Sequence, residues 1–219
     1  MLFLGLCFTQ EVQAQLTQFN GKRVAVYVSK KKLSFTPEFN KIFAAYLSTD
    51  DSLGLSEEDL KLAFTIRLGT FLTDAFNREL KTDSSYFLNA TPGIGERFVK
   101  TYATNPAGIW ALQGELQRLH TDYVFVVDQM NCYTETRKTV IAVSNQLVPE
   151  FRKARLVRLT AHVYEVSTRA EAASIELVFD QERTKPQAKY LSPDGKAVNA
   201  TTLLTGVFNL ALERLFAKF

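Results

Sequence analysis

The segment Asp122–Cys132, DYVFVVDQMNC, constrains the fold most, because apolar residues occupy both alternating positions in its first half. Side chains on a β-strand point alternately to opposite faces, so this strand has two faces to bury. A sheet covered on one face only would leave half of these side chains in water. The segment therefore predicts a central strand with further structure packed on both of its sides.

Other segments predict the rest of the sheet and the helices that cover it. Runs rich in β-branched and aromatic residues favour strands at Lys22–Ser29 and Ser85–Ala90. Apolar residues at helical spacing predict helices at Pro37–Tyr46, Glu57–Lys81, Glu96–Tyr102 and Asn105–His120, and a C-terminal amphipathic helix from about Ala200. We expect an α/β fold with an α+β tendency. It is a single two- or three-layer domain with a mixed sheet of about five strands.

Two alternating segments, Leu156–Val166 and Ala172–Asp180, predict an antiparallel hairpin closed near Ser167–Glu171. The register that buries one apolar face places Leu159 opposite Phe179, Ala161 opposite Leu177 and Val163 opposite Ile175. The same register places Arg158 opposite Asp180 and His162 opposite Glu176 on the polar face. Each of these polar pairs would contribute roughly 0.2–1 kcal/mol.

The N-terminal residues predict export from the cytoplasm. An apolar run, Leu2–Phe8, is followed by Val12-Gln13-Ala14, the small-residue spacing that signal peptidase accepts. We interpret residues 1–14 as a signal peptide and residues 15–219 as one domain, placed in the periplasm or secreted. An ordinary N-terminal strand at Leu2–Phe8 is the alternative.

Composition narrows the class of partner and the source of stability. Lys and Arg number 26 and Asp and Glu 23, a net charge of +3, which is too small for binding nucleic acid by phosphate neutralisation. Without the leader, Cys132 is the only cysteine, so a hydrophobic core and no disulfide must stabilise the domain. No later segment has the roughly 18 uninterrupted apolar residues of a membrane span, so we expect none in the mature chain.

For each residue whose side chain could take part in catalysis, a structural role explains its position at least as well as a catalytic role does. His120 and His162 are predicted on different elements, and Cys132 has no neighbouring base in the sequence that would make it a thiolate. Asp122 and Asp128 share a strand parity but lie near its two ends, and Thr91-Pro92-Gly93-Ile94-Gly95 lacks the lysine of a phosphate loop. We therefore expect no catalytic residue, no metal and no cofactor.

Two basic clusters are candidates for a contact surface. One is Lys30-Lys31-Lys32, and the other includes an aromatic residue, Phe151, beside Arg152, Lys153 and Arg155. An aromatic anchor among basic side chains is typical of binding interfaces, whereas charge runs are more often simply solvated. Phe151, Arg152, Lys153 and Arg155 are our candidate partner-binding residues.

Two short stretches resemble a group of exported α/β modules. Thr121-Asp122-Tyr123-Val124 is similar to the helix-to-strand junction of the curli-secretion protein CsgG, the penicillin-binding-protein activator LpoB and the TolB amino-terminal domain. Tyr164-Glu165-Val166-Ser167-Thr168 resembles the turn of their hairpin, although the glycine expected after the threonine is Arg169 here. The resemblance implies a non-enzymatic periplasmic module that binds envelope partners, and it transfers no functional residue.

Three functions compete on these grounds. The first is an exported, non-enzymatic envelope protein that binds a protein or peptidoglycan-associated factor. The second is a small exported hydrolase whose site is assembled from distant residues. The third is a membrane-associated oligomer that uses its C-terminal helix or Val140–Phe151 as an interface.

We predict that residues 1–14 are absent from the protein recovered from its native host, because the apolar run and Val12-Gln13-Ala14 form a processing site. Intact-mass measurement tests this directly. A mass equal to that of all 219 residues would contradict the export hypothesis.

Overall fold

A computed structural model of the chain describes residues 21–40, 56–79, 81, 84–143 and 146–180. The strands within these ranges are β1 (Val24–Val28), β2 (Leu33–Phe35), β3 (Tyr86–Phe87), β4 (Tyr123–Val143), β5 (Gln146–Glu165) and β6 (Ala170–Asp180). The α-helices are α1 (Glu57–Glu79), α2 (Ile94–Thr104) and α3 (Gln113–Arg118), with 3₁₀ turns at Lys30–Lys32, Leu88–Ala90 and Pro106–Leu112. The predicted signal peptide and C-terminal helix lie outside the described residues.

The six strands form one mixed sheet in the order β3-β1-β4-β5-β6, with β2 also paired to β4. Strands β1, β2 and β3 make only parallel pairs, whereas β4, β5 and β6 are joined by antiparallel pairing. The α/β class and the mixed sheet are confirmed. The strand predicted at Ser85–Ala90 is shorter than expected. Only Tyr86-Phe87 forms β3, because the chain continues as a 3₁₀ helix at Leu88–Ala90.

The central strands are buried on both faces, as the sequence of β4 predicts. On one face Val26 and Phe125 pack in a core with the α1 side chains Phe64, Leu68 and Leu72. On the other face, Tyr27 and Val126 pack with side chains of α2, α3 and the 3₁₀ turn between them, including Phe98, Ile109 and Leu116. The sheet is therefore the middle of three layers.

A β-bulge at Asp128 interrupts β4 and reverses which of its residues face α1. The pairing with β5 shifts between Val127 and Gln129. Before the bulge Phe125 and Val127 belong to the α1-side core, and after it Met130 and Cys132 do. An extra residue in a strand has this consequence because strand side chains alternate with a period of two.

The predicted β5–β6 hairpin exists, but its register was predicted wrongly by two residues. Leu159 lies opposite Leu177, and Ala161 lies opposite Ile175. The turn is tighter than expected, with Arg169 at φ 60° donating its amide to the Glu165 carbonyl, and a second irregularity follows Val163. From Leu156 to Val163 the shift is two, which keeps these side chains on their predicted faces, so the apolar face is correct and the polar partners are not.

Strand β4 continues far beyond its predicted end at Cys132, to Val143, and β5 begins at Gln146 and not near Leu156. From Thr134 paired with Arg155 to Val143 paired with Gln146, the two strands pair with each other. No third described strand joins them there, since β2 pairing ends at Cys132 and β6 pairing at Leu156. We call this two-stranded extension, residues 134–143 and 146–155, the arm.

The close approach of α2 to the chain before it makes a testable contrast between two helical glycines. A Cβ added at Gly95 would lie 2.3 Å from the Leu88 carbonyl oxygen, whereas one at Gly114 in α3 meets nothing within 4 Å. We expect Gly95→Ala to lower the free energy of unfolding by about 1–3 kcal/mol through backbone displacement. Gly114→Ala should leave it unchanged or raise it by up to about 1 kcal/mol. Urea denaturation of both variants measures this, and equal shifts would contradict the packing described.

Candidate functional site

The arm exposes more large apolar side chains than any other described part of the chain. Leu147 is 77% exposed, Phe151 67% and Val140 61%, and Val143 and Val148 add to the same end. An isolated two-stranded hairpin is at best marginally stable in water, so a long ribbon with exposed apolar residues is a costly feature. Exposed apolar clusters of this kind mark interaction sites on soluble proteins.

The two faces of the arm differ in charge, because residues alternate along each strand and directly opposite residues share a face. One face, which we call the basic face, carries Lys138, Lys153 and Arg155 and no acidic residue of its own. Its apolar members are Val140, Ala142, Leu147, Pro149 and Phe151. This face lies on the side of Met130 and Cys132, which is the side of α1.

The other face, which we call the balanced face, pairs its charges internally. Arg152 lies 2.8 Å from Glu150, and Arg137 lies 3.5 Å from Glu135. Two cations and two anions cancel on this face. The arm therefore presents its unbalanced positive charge on one side only.

Glu38 fastens the base of the basic face to the body of the protein. This carboxylate accepts a hydrogen bond from Lys153. The hydrogen bond from Lys153, together with the nearby Thr134 hydroxyl and the positive charge of Arg155, lowers the pKa of Glu38 below its ordinary value. Glu38 offsets one of the three positive charges, and Lys138 and Arg155 make no ion pair with another described residue.

The structure brings together three of the four predicted contact residues and separates the fourth. Phe151, Lys153 and Arg155 lie on the basic face, whereas Arg152 points to the balanced face, where Glu150 neutralises it. Sequence reasoning missed Lys138 and Val140, which join the basic face from β4. The β-branched residues of this stretch are the strand signal that could have revealed them: Thr134, Thr136, Thr139, Val140 and Ile141.

The two histidines lie on different elements, and the predicted partner of one of them is corrected. His162 Nδ1 lies 3.0 Å from a carboxylate oxygen of Glu171, and Glu176 lies opposite Thr160 instead. The two-residue shift of register explains the change of partner. His120 is exposed just after α3, with φ 54°, and its amide donates to the Gln117 carbonyl.

Burial and hydrogen bonds account for Cys132 and the two aspartates without a catalytic role. Burial raises the pKa of the Cys132 thiol, which disfavours the thiolate that a nucleophile would need. Asp122 accepts hydrogen bonds from the Arg23 amide at 2.8 Å and from Lys22 at 3.3 Å. Asp128 was expected near a strand end, but it lies inside β4 because that strand continues to Val143.

The Asp128 carboxylate is occupied by two donors. Lys32 Nζ lies 2.8 and 3.0 Å from its two oxygens, and the Tyr102 hydroxyl donates to it at 2.8 Å. Burial, followed by the Asp128 carboxylate, raises the pKa of Tyr102, so the phenol stays protonated and remains a donor. These contacts fix the bulge of β4.

The described residues contain neither a candidate metal site nor a helix suited to span a membrane. No group of three or more His, Cys, Asp or Glu side chains among them is arranged to hold a metal ion. Within the same ranges, no helix has the length and apolar character to cross a bilayer. Of the segment Thr91–Gly95, residues 91–93 form a turn with Gly93 at φ 76°, and Ile94 and Gly95 begin α2.

Comparison with known proteins gives little. No protein-family model matches the chain, and no curated protein matches it in sequence. A solved structure from Helicobacter pylori, provisionally described as a neuraminyllactose-binding hemagglutinin homolog, aligns with a TM-score of 0.35 and 10% sequence identity. The alignment covers 91% of this chain and 82% of that chain. A likeness at this TM-score carries no conclusion about fold or function.

The Glu38 contact predicts how the base of the arm responds to pH. The folded-state pKa of Glu38 is lowered, so its stabilising contribution is fully present above the ordinary value of 4.5 and is lost as the pH falls through the folded value. We expect faster amide hydrogen exchange at residues 134–139 and 150–155 in Glu38→Gln than in the wild type at neutral pH. At a pH below the folded value of Glu38 the two proteins should exchange alike at these residues. A difference that persists in acid would contradict the contact.

Proposed function

We propose that this protein is an exported, non-enzymatic binding protein of the cell envelope and that the arm carries its binding surface. The observation that carries the proposal is the arm itself, a two-stranded ribbon with exposed Val140, Leu147 and Phe151. Beside them lie Lys138 and Arg155, which make no ion pair with another described residue. Apolar anchors next to cations are suited to contact with a partner.

The surroundings of the candidate catalytic groups support a binding role. His162 is engaged by Glu171, and Asp128 is occupied by Lys32 and Tyr102. A general base needs a free lone pair within reach of a substrate, and a carboxylate held by two donors is poorly placed to offer one. The Cys132 thiol is buried and kept neutral.

Two features of the sequence support the envelope location. One is the apolar run with Val12-Gln13-Ala14 at the N-terminus. The other is the resemblance to the CsgG, LpoB and TolB modules at Thr121–Val124, which leads from α3 into β4, and at Tyr164–Thr168, which leads from β5 into its turn. In this proposal the three-layer body holds the arm, and the arm makes the contact.

Opposite faces of the arm provide a matched pair of charge reversals. Lys138→Glu changes the basic face, and Arg152→Glu changes the balanced face. We expect Lys138→Glu to reduce cosedimentation of the purified protein with isolated cell envelopes about tenfold or more, since charge complementarity governs such contacts. Arg152→Glu should reduce it much less, because that arginine is already paired with Glu150.

Thermal denaturation accompanies the binding measurement, because both positions are exposed or half-exposed in the arm and neither variant should change the melting temperature of the body. Equal losses in the two variants, or no loss in either, would show that the basic face is not the binding surface. Hydrolysis of a test ester, peptide or glycoside that disappears in His162→Ala would instead support an enzyme.

A further inference from the structure

We propose that the arm binds an anionic lipid surface and that its uncharged end inserts into the interfacial region of the bilayer. This inference rests on the proposed function and identifies the partner of the same site. Three features of the arm carry it: a charge-free end, basic residues placed behind that end, and an apolar length that matches the membrane interface.

The end of the arm, which we call the tip, is residues 140–143 and 146–149, and the sequence from Val140 to Pro149, VIAVSNQLVP, contains no charged residue. Its apolar side chains are exposed on both faces of the ribbon, with Val140 and Leu147 on the basic face and Val143 and Val148 on the balanced face. A flat contact with a protein would cover one face and leave the other in water. Insertion of the tip end-on into an apolar medium removes both faces from water at once.

Directly behind the tip lies the pair Thr139 and Glu150, and basic residues follow this pair on both strands. Lys138 lies opposite Phe151, and the adjacent pairs contribute Arg137 with Arg152 and Thr136 with Lys153. We call the rest of the arm, residues 134–139 and 150–155, the stem. With Arg155 it carries five basic residues, against Glu135, Glu150 and the docked Glu38. The net charge of the stem with Glu38 is therefore +2, in the region where lipid headgroups would lie if the tip were inserted. Phe151 lies near the boundary between the tip and the stem. Cationic residues near an anionic membrane surface each contribute about 1 kcal/mol to binding.

The apolar length sets how deep the tip can go. Each strand contributes about four residues to the tip, which at about 3.4 Å per residue is roughly 13 Å. This is close to the 5–10 Å depth of interfacial elements and far from the roughly 30 Å of a hydrocarbon core. Both edges of the described ribbon also lack strand partners, and unpaired backbone groups are not tolerated in hydrocarbon. The tip therefore reaches the interface and goes no deeper.

A second copy of this chain is a weaker occupant. In a two-fold dimer the same patch meets itself, so Lys138 and Arg155 of one copy would approach the same residues of the other. That arrangement opposes like charges, and the Glu38 carboxylate at the base of this face is already bound to Lys153. Phospholipid phosphates supply the missing negative charge.

The first test is flotation of the full chain with lipid vesicles. We expect binding to vesicles of phosphatidylcholine with phosphatidylglycerol, little binding to phosphatidylcholine alone, and a decrease as salt concentration rises. Lys138→Gln and Arg155→Gln should each weaken binding about fivefold, the equivalent of ~1 kcal/mol. The control Glu150→Gln/Arg152→Gln removes one charge of each sign and should bind like the wild type. The apolar N-terminal residues are common to all variants, so the differences report the arm.

The second test locates the inserted residue. In a Trp110→Phe background, Leu147→Trp places the probe in the tip and Val178→Trp places it on β6, at a residue that is also exposed. We expect anionic vesicles to shift the emission of the tip probe to shorter wavelength and to leave the β6 probe unchanged. Quenching by lipids brominated along the acyl chain should likewise affect the tip probe alone.

The outcomes separate this inference from the proposed function. Equal shifts of both probes, equal binding to neutral and anionic vesicles, or self-association through the arm detected by sedimentation would each overturn the lipid partner. Envelope binding that needs Lys138 without any vesicle binding would also overturn it, and it would leave the arm as the surface for an envelope protein. Loss of Lys138 dependence in both assays would reject the two proposals together.

Discussion

The bulge at Asp128 decides which side of the molecule each outer residue of β4 faces. Before it, odd-numbered residues such as Val127 pack toward α1, and after it even-numbered residues such as Met130 do. The change of parity persists along the rest of the strand, so it places Lys138 and Val140 on the α1 side, the side on which Glu38 meets Lys153. Lys32 and Tyr102 hold the bulge by binding the Asp128 carboxylate. The bulge in the body therefore determines which side of the molecule the proposed binding surface faces.

Strands β4 and β5 are buried in the body along one half of their length and exposed in the arm along the other half. At Cys132 opposite Val157 both side chains are buried, whereas at Lys138 opposite Phe151 both are exposed. The inner halves gain stability from two packed layers, and the outer halves have chiefly cross-strand hydrogen bonds. Local opening is easiest where few apolar contacts are made, so the arm should exchange its amides faster than the sheet from which it grows. A binding element with low intrinsic stability can adapt to a partner while its base stays fixed.

The sequence could predict those parts of the fold in which apolar residues recur with one clear period, either that of a strand or that of a helix. The central strand at Asp122–Cys132 and helix α1 have clear patterns, and both lie where expected. The extension of β4 was missed because Thr134, Glu135, Thr136 and Arg137 are polar on both parities, which resembles a loop when the partner strand is unknown. The β5–β6 register was wrong because a left-handed Arg169 and an irregularity after Val163 change the turn. Each cross-strand pair contributes only roughly 0.2–1 kcal/mol, so the preferred pairs in the sequence do not determine the register.

The candidate site shows why proximity in sequence is a poor guide to proximity on a strand. Phe151, Arg152, Lys153 and Arg155 form one cluster in the sequence, but alternation sends Arg152 to Glu150 and leaves the others on the opposite face. Cross-strand pairing then adds Lys138, thirteen residues from Phe151 in the chain and directly opposite it in the ribbon. In a helix or a loop these charges would mix, and Glu150 and Glu135 would neutralise the basic side chains. The separation of a basic face from a balanced one therefore exists only while the ribbon is extended, so binding through that face depends on the conformation of the arm as well as on its composition.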